Sequence, residues 1–268
     1  MHKRGYANLS HGQIHYRYAG NGPVVILLHQ SPCSSRDYEH LLEAWSEYFA
    51  VIAPDNPGNG MSDPLTVPKS TMIDYAASLI EFMDSLGITD AMLYGYHTGA
   101  SIAVAAATTY PDRISLAVAN GVSLLQGAQQ KDFIDNYMPP FTPQENGEHL
   151  TWLWQRIKSQ AAVFPWYSEK PEDALNLPPY SVSKCQIMLE DFLAAGNDYI
   201  APYRAAFAFD PVNDGLLPAD NVIVCSSDKD PLKFCMEQLP ADQCQFIADT
   251  MTECEEKALS LIKKGAAT

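Results

Sequence analysis

Positive charge is scarce in this chain: 17 lysines and arginines stand against 32 acidic residues in 268, a net charge of -15. A field of that sign repels phosphate backbones and anionic lipid, so neither nucleic acid nor a membrane surface is expected as a partner. No stretch approaches the roughly 20 apolar residues a spanning helix needs. The opening MHKRGYANLSHGQIHY has no apolar secretion segment, and a cytoplasmic location is expected. Paired cysteine motifs are missing too: Cys33, Cys185, Cys225, Cys235, Cys244 and Cys254 show no CxxC spacing and no accompanying histidines. Neither a metal site nor a cofactor is indicated, and the cysteines read as reduced, half-buried apolar fillers. Nothing in the sequence addresses oligomeric state.

What is present is a hydrophobic fraction of 47% with only 18% charged residues, enough to bury a sizeable core in one domain carrying an insertion. Alternation in GQIHYRYAG predicts an amphipathic strand after the His11-Gly12 turn, and VVILL at 24–28 predicts a buried parallel strand. Ser34 or Ser35 caps a helix bearing Tyr38, Leu41, Leu42, Trp45 and Phe49, and a strand follows at Val51–Ala53. Thr71 with Asp74 caps a second helix closed by Gly87. A strand at Met92–Tyr94, a helix from Thr98 to about Thr109 stopped before Pro111, and a strand at Ile114–Ala119 continue the rhythm. Strands at 221–225 and 244–248 and a helix from Glu253 to Ile262 complete it. Such alternation predicts a mostly parallel, doubly wound sheet with helices on both faces and function at the carboxyl ends of its strands.

Residues 123–205 interrupt the pattern with Trp152, Trp154, Trp166, two Pro-Pro pairs and helical spacing near 148–162 and 184–195. They are expected to form a helical cap over a core made of residues 1–122 and 206–268, walling a pocket with aromatic surface or forming a small core of their own.

Gly95-Tyr96-His97-Thr98-Gly99 joins an apolar strand to a small-residue helix, the context of a sharp turn that projects its central side chain from the sheet. LLHQSP closes the strand at 24–28, DNPGNGMSDP follows the strand at Val51–Ala53, and VCSSDKDP ends a late strand with an acid before proline. In this order the segments resemble the α/β-hydrolase superfamily, over the whole chain except the insertion. The resemblance implies an α/β-hydrolase fold with an inserted helical cap and a small-molecule substrate or ligand. It puts His29-Gln30 at the oxyanion segment, Asp55 to Ser62 at the D-x-x-G-x-G-x-S loop and Asp230 at the acid position.

Two departures separate the chain from that pattern. His97 stands at the nucleophile position, and no histidine follows His149, so the base position falls on Thr250 with Glu255 a few residues later. Losing one member of a linked triad costs about as much as losing all of it, on the order of a million-fold, which excludes ordinary serine hydrolysis. Imidazole, with an ordinary pKa of about 6.5, can serve as base or nucleophile at neutral pH. If Asp230 reaches one ring nitrogen, the two form a contracted dyad whose free nitrogen faces the pocket. The backbone N–H groups of Gln30 and Thr98 are the candidate oxyanion donors, each worth roughly 3 kcal/mol.

On this reading the chain is an enzyme acting on an ester, lactone or related carbonyl compound. Two alternatives stand beside it: a lyase or cofactor-independent oxygenase using the same dyad, as the resemblance also implies, and a degenerate member that binds a small apolar ligand. His29 is a candidate at the pocket, although an oxyanion-segment histidine more often organises loop hydrogen bonds. Spacings of three and four residues put His149, Trp152 and Arg156 on one helix face, where His149 can move a proton and Arg156 bind a carboxylate. The competing reading of that face is a buried Trp between exposed polar groups, and Trp154 is a further aromatic candidate. His2, His11, His15 and His40 are expected on the surface.

Overall fold

A computed structural model describes residues 2–267. Eight strands form one sheet in the order β1-β2-β4-β3-β5-β6-β7-β8: β1 Lys3–Leu9, β2 Gly12–Ala19, β3 Val24–Leu28, β4 Ala50–Pro54, β5 Ala91–Tyr96, β6 Ile114–Asn120, β7 Val222–Ser227 and β8 Gln245–Ala248. The β1-β2 and β2-β4 pairs are antiparallel and every later pair is parallel. β1 was not foreseen, since KRGYANL has little apolar alternation; it makes β2 an inner strand and takes the sheet edge itself.

The helices cover both faces because the central strands are apolar on both. α2 Met72–Ser85 and α3 Thr98–Thr109 pack on one side, α1 Glu39–Trp45 and α8 Met251–Gly265 on the other. α2 starts as its sequence predicts: Thr71 and Asp74 form a reciprocal capping box, and Gly87 follows at φ +69°. The first helix is shorter than its apolar spacing suggested, because a 3-10 turn at Ser35–Tyr38, capped by Ser34, precedes α1 and Phe49 lies beyond it.

Between β6 and β7 run α4 Gly127–Asn136, α5 Glu148–Ala162, α6 Val182–Ala195 and α7 Ile200–Ala208. α5 and α6 match the predicted helical spacing. α7 carries the insertion past residue 205, so no break in chain geometry marks that boundary. Among the described residues no helix is long and apolar enough to cross a membrane.

From β3 the chain passes to β4 on one side and then returns to lay β5 on the other. The crevice outside the carboxyl ends of β3 and β5 is therefore the topological switch point, where open α/β sheets bind ligands. Gln30 follows β3 and His97 follows β5.

Candidate active site

His97 is held in a backbone conformation that L-residues avoid, φ +48° and ψ -109°, between the end of β5 and the first turn of α3. Strain of this kind costs on the order of 1–3 kcal/mol and persists only where the surroundings over-determine it. Here the small neighbours do so. A Cβ on Gly95 would lie 2.2 Å from the Gly99 carbonyl oxygen, and one on Gly99 would lie 1.8 Å from that of Leu28. The His97 N–H donates to the Asn120 carbonyl at 2.9 Å, and the His97 carbonyl accepts from the Ser101 N–H at 3.0 Å.

The turn aims the imidazole at the end of β7. His97 Nε2 lies 2.9 Å from Asp230 Oδ2 and 3.1 Å from Oδ1. The aspartate side chain is fully enclosed while the imidazole keeps 20% exposure. Burial pushes the Asp230 carboxyl up, yet the His97 ring and the Leu232 N–H, which donates to Oδ1 at 2.8 Å, outweigh it and hold the group below its ordinary value. An ionised carboxylate accepts only, so Nε2 carries the proton of the pair, and in the neutral imidazole the lone pair is on Nδ1. Tyr96 stacks on the imidazole at 3.9 Å between centroids and 26° between planes, which fixes the plane of the ring.

Gly121, at φ +68° just past β6, makes room for the pair. A Cβ there would lie 2.6 Å from His97 Cδ2 and 3.0 Å from Asp230 Oδ2. Sequence reading passed this residue over; its signal was a glycine one step beyond a parallel strand, on the side where ligands bind.

His97 and Asp230 border a cavity of about 310 Å³, together with Gln30, Thr98 and Thr250. Core loops form its floor. Its other walls come from the inserted helices and loops through Tyr137, Gln160, Phe164, Tyr203 and Phe207. Thr250, aligned with the missing base, caps α8 by accepting from the Glu253 N–H at 3.2 Å. Among the described residues no second imidazole borders the cavity.

Other sequence candidates lie elsewhere. His29 is fully buried behind the floor: its Nε2 accepts from the Asn56 N–H at 2.8 Å and its Nδ1 donates to the Gln30 carbonyl at 2.7 Å. Burial holds its pKa below the ordinary value, consistent with a neutral ring that organises two loops. His149 caps the loop before α5 by accepting from the Gln144 N–H at 3.0 Å. Trp152 meets Trp166 edge-on at 6.0 Å, and Trp154 lines a separate surface groove with Val182 and Cys185. None of these three reaches the cavity, so its aromatic walls are tyrosine and phenylalanine and not the tryptophans foreseen.

Arg156 is 2% exposed and is neither a carboxylate site on the cavity wall nor a surface group. Its guanidinium carbon lies 4.5 Å from the Phe192 ring centre and 4.8 Å from that of Trp166, and its Nη2 donates to the Tyr137 carbonyl at 3.2 Å. His15 also departs from expectation. It is buried and bonds Asp55 at 2.9 Å, because the loop after β4, with Asp55 and Ser62, lies against the part of β2 that alternation had assigned to solvent.

Residues 23–192 match the family model described as alpha/beta hydrolase fold. That span covers more than half of the chain. The chain belongs to the α/β-hydrolase fold family. Among curated relatives of this family member, a 2-(acetamidomethylene)succinate hydrolase of Mesorhizobium japonicum is 28% identical over 76% of the chain and 61% of its own length. Haloalkane dehalogenase 2 of Mycobacterium tuberculosis is 32% identical over 39% of the chain and 37% of its own length. Epoxide hydrolase 3 of Siraitia grosvenorii is 34% identical over 48% and 42% respectively. The α/β-hydrolase chain thus spans less than two thirds of the length of each of these relatives. A Vigna radiata epoxide hydrolase mutant superposes with a TM-score of 0.72 over 98% of both chains at 16% identity, and Epoxide Hydrolase A of Mycobacterium thermoresistibile with 0.70 over 98% of both at 16%. At such identities the structural likeness establishes the fold alone.

Proposed function

We propose that this α/β-hydrolase-fold chain is an enzyme that hydrolyses a small ester, lactone or related carbonyl compound, with His97 as base or nucleophile and Asp230 as the acid that orients it. The observation that carries this reading is the 2.9 Å contact of His97 Nε2 with an enclosed carboxylate at the border of a cavity. The hydrolase names of the curated relatives support the reaction type.

Asp230 fixes the tautomer, so the lone pair of Nδ1 is the reactive one. Acting as a base, Nδ1 removes a proton from water as the oxygen attacks the carbonyl carbon. Acting as nucleophile, it displaces the alkoxide to form an acyl-imidazole, the alkoxide takes a proton from solvent, and one water then hydrolyses the acyl group and frees the ring. In either route the N–H groups of Thr98 and Gln30 receive the charge that develops on the carbonyl oxygen. The inserted segment at 123–205 serves as a cap, with its tyrosines and phenylalanines excluding water. No step draws on a metal or organic cofactor.

The test is a screen of short-chain esters, lactones and activated amides with the wild type and His97→Ala. We expect turnover to fall by roughly a hundred- to ten-thousand-fold with the circular dichroism spectrum unchanged. Equal residual rates in a folded variant would overturn the catalytic reading in favour of a pocket that only binds a small apolar ligand. Mass spectrometry of quenched single turnovers separates the two routes, since only the nucleophile adds acyl mass to the His97 peptide. His97→Ser alone should not make an efficient esterase, whereas adding Thr250→His should raise its rate.

A further inference from the structure

Two carboxamides line the cavity, and each is tied at one end to a full charge standing behind the wall. Gln30, just past β3, lies on the core side and Gln160, in the last turns of α5, on the side of the inserted helices. Gln30 Nε2 donates to Asp37 Oδ2 at 3.3 Å, and Lys184 of α6 holds the other oxygen of Asp37 at 2.6 Å. Burial raises the Asp37 carboxyl, but the Lys184 ammonium more than offsets this and keeps it below the ordinary range. As an ionised carboxylate Asp37 only accepts, so the NH2 end of Gln30 must face it. Among the described residues no protein donor meets Gln30 Oε1, and Gln30 is half-buried at the cavity wall.

The other amide is held the opposite way round. Arg156 Nη1 donates to Gln160 Oε1 at 3.3 Å. A guanidinium only donates, so the oxygen of Gln160 must face it and the NH2 end is left for the cavity. Arg156 has no carboxylate within ion-pair distance among the described residues, which is unusual for a cation 2% exposed. Its charge is instead spread over aromatic faces and over this amide dipole. Burial raises the hydroxyl of Tyr137, next to Gln160 on the wall, against the opposing effect of the Arg156 charge.

We infer that the pocket is built for a substrate of fixed polarity: Gln30 accepts from a hydroxyl or N–H next to the reacting carbonyl, and Gln160 donates to an oxygen at the far end. The inference rests on the proposed site and specifies its substrate class. Asp37, Lys184 and Arg156 are positioning residues that act through the two amides. Where a site is built to meet a polar group, an analogue without that group leaves buried atoms unpaired and is rejected at least tenfold.

The experiment uses three matched short esters: one with an α-hydroxyl and a terminal acetyl group, its deoxy analogue, and an analogue with isopropyl in place of acetyl. Wild-type protein should favour the first over each of the others by on the order of tenfold, with most of the difference in KM. Gln30→Met should erase the hydroxyl preference and keep the acetyl preference, and Gln160→Met should do the reverse. Asp37→Asn, which can meet either end of Gln30, should shrink only the hydroxyl preference. A wild type indifferent to both groups, variants that keep both preferences, or variants that lose both together would overturn the inference. Calorimetric affinities of the same esters on His97→Ala protein read the preference without turnover. Failure of catalysis and failure of the polarity reading are thereby distinguished.

Discussion

Two histidine-aspartate pairs in this chain have the same 2.9 Å contact, and only that of His97 borders the cavity at the switch point of the sheet. His15 sits in the middle of β2, and both its side chain and that of Asp55 are almost fully enclosed. Asp55 also accepts from the N–H groups of Ser35 at 2.7 Å and Met61 at 2.9 Å. Burial alone would raise its carboxyl, but these bonds and His15 bring it down to about 2. That pair ties β2 to two loops. His97 stands instead on a strained turn beside a cavity, and among the described residues no hydrogen-bond partner meets its second nitrogen. A short contact between imidazole and carboxylate is therefore no mark of catalysis. The backbone strain and the open side of the ring are what separate the two.

The largest difference between the pairs should appear on exchanging their carboxylates for amides. Asp230→Asn should lower kcat on the best ester by on the order of a thousand- to ten-thousand-fold, because an amide can hold the wrong tautomer. Asp55→Asn should leave kcat within about threefold and cost about 2–4 kcal/mol in urea unfolding. A catalytic loss of similar size in both would erase the distinction. Gly121→Ala comes next: its Cβ must displace either the ring or the carboxylate, so turnover should fall by on the order of a hundredfold. An unchanged rate would show that the pair tolerates being moved.

Acid should affect the structural pair through stability. A folded-state pKa near 2, below the ordinary 3.8, gives stability that is complete above about pH 4 and is lost as pH falls toward 2. The loss for Asp55 should be about 2 kcal/mol, absent from Asp55→Asn when wild-type and variant unfolding curves are compared across that range. Asp230 shifts in the same direction and adds to the wild-type slope. The smallest effect belongs to a third pair, His40 with Glu255 at 3.2 Å, whose histidine side chain is 58% exposed. The Glu255 carboxylate raises the His40 pKa above 6.5. Its contribution is thus present below that pH and fades as pH climbs past the raised value. His40→Asn should change stability by less than about 0.5 kcal/mol at pH 6, since solvent screens the pair.

Readable from the sequence were the alternation of strands and helices, the glycines around His97, the acid at Asp230 and the want of a late histidine. These are local or ordered features, set by side-chain period, by steric tolerance at a turn and by motif order along the chain. His15 was misread because alternation tells which residues share a face, and says nothing of what covers it; the loop bearing Asp55 and Ser62 lies against this one. Arg156 was misread because helical spacing placed it correctly on a face of α5, while Trp166 in the loop beyond that helix and Phe192 of α6 turned that face inward. Gly121 carried too weak a signal, since what it spares lies 133 residues apart in the His97-Asp230 contact.

By itself, then, the sequence determined the layered α/β architecture and which side chain the elbow would carry, because periodicity and turn sterics act between near neighbours. Tertiary structure alone decided that Asp230 meets His97 Nε2, that the aromatic walls of the cavity are tyrosine and phenylalanine, and that a half-buried carboxylate meets Gln30 and a buried guanidinium meets Gln160. Those outcomes depend on the order in which strands assemble and on how the inserted helices pack, and contacts between remote segments leave no period in the chain.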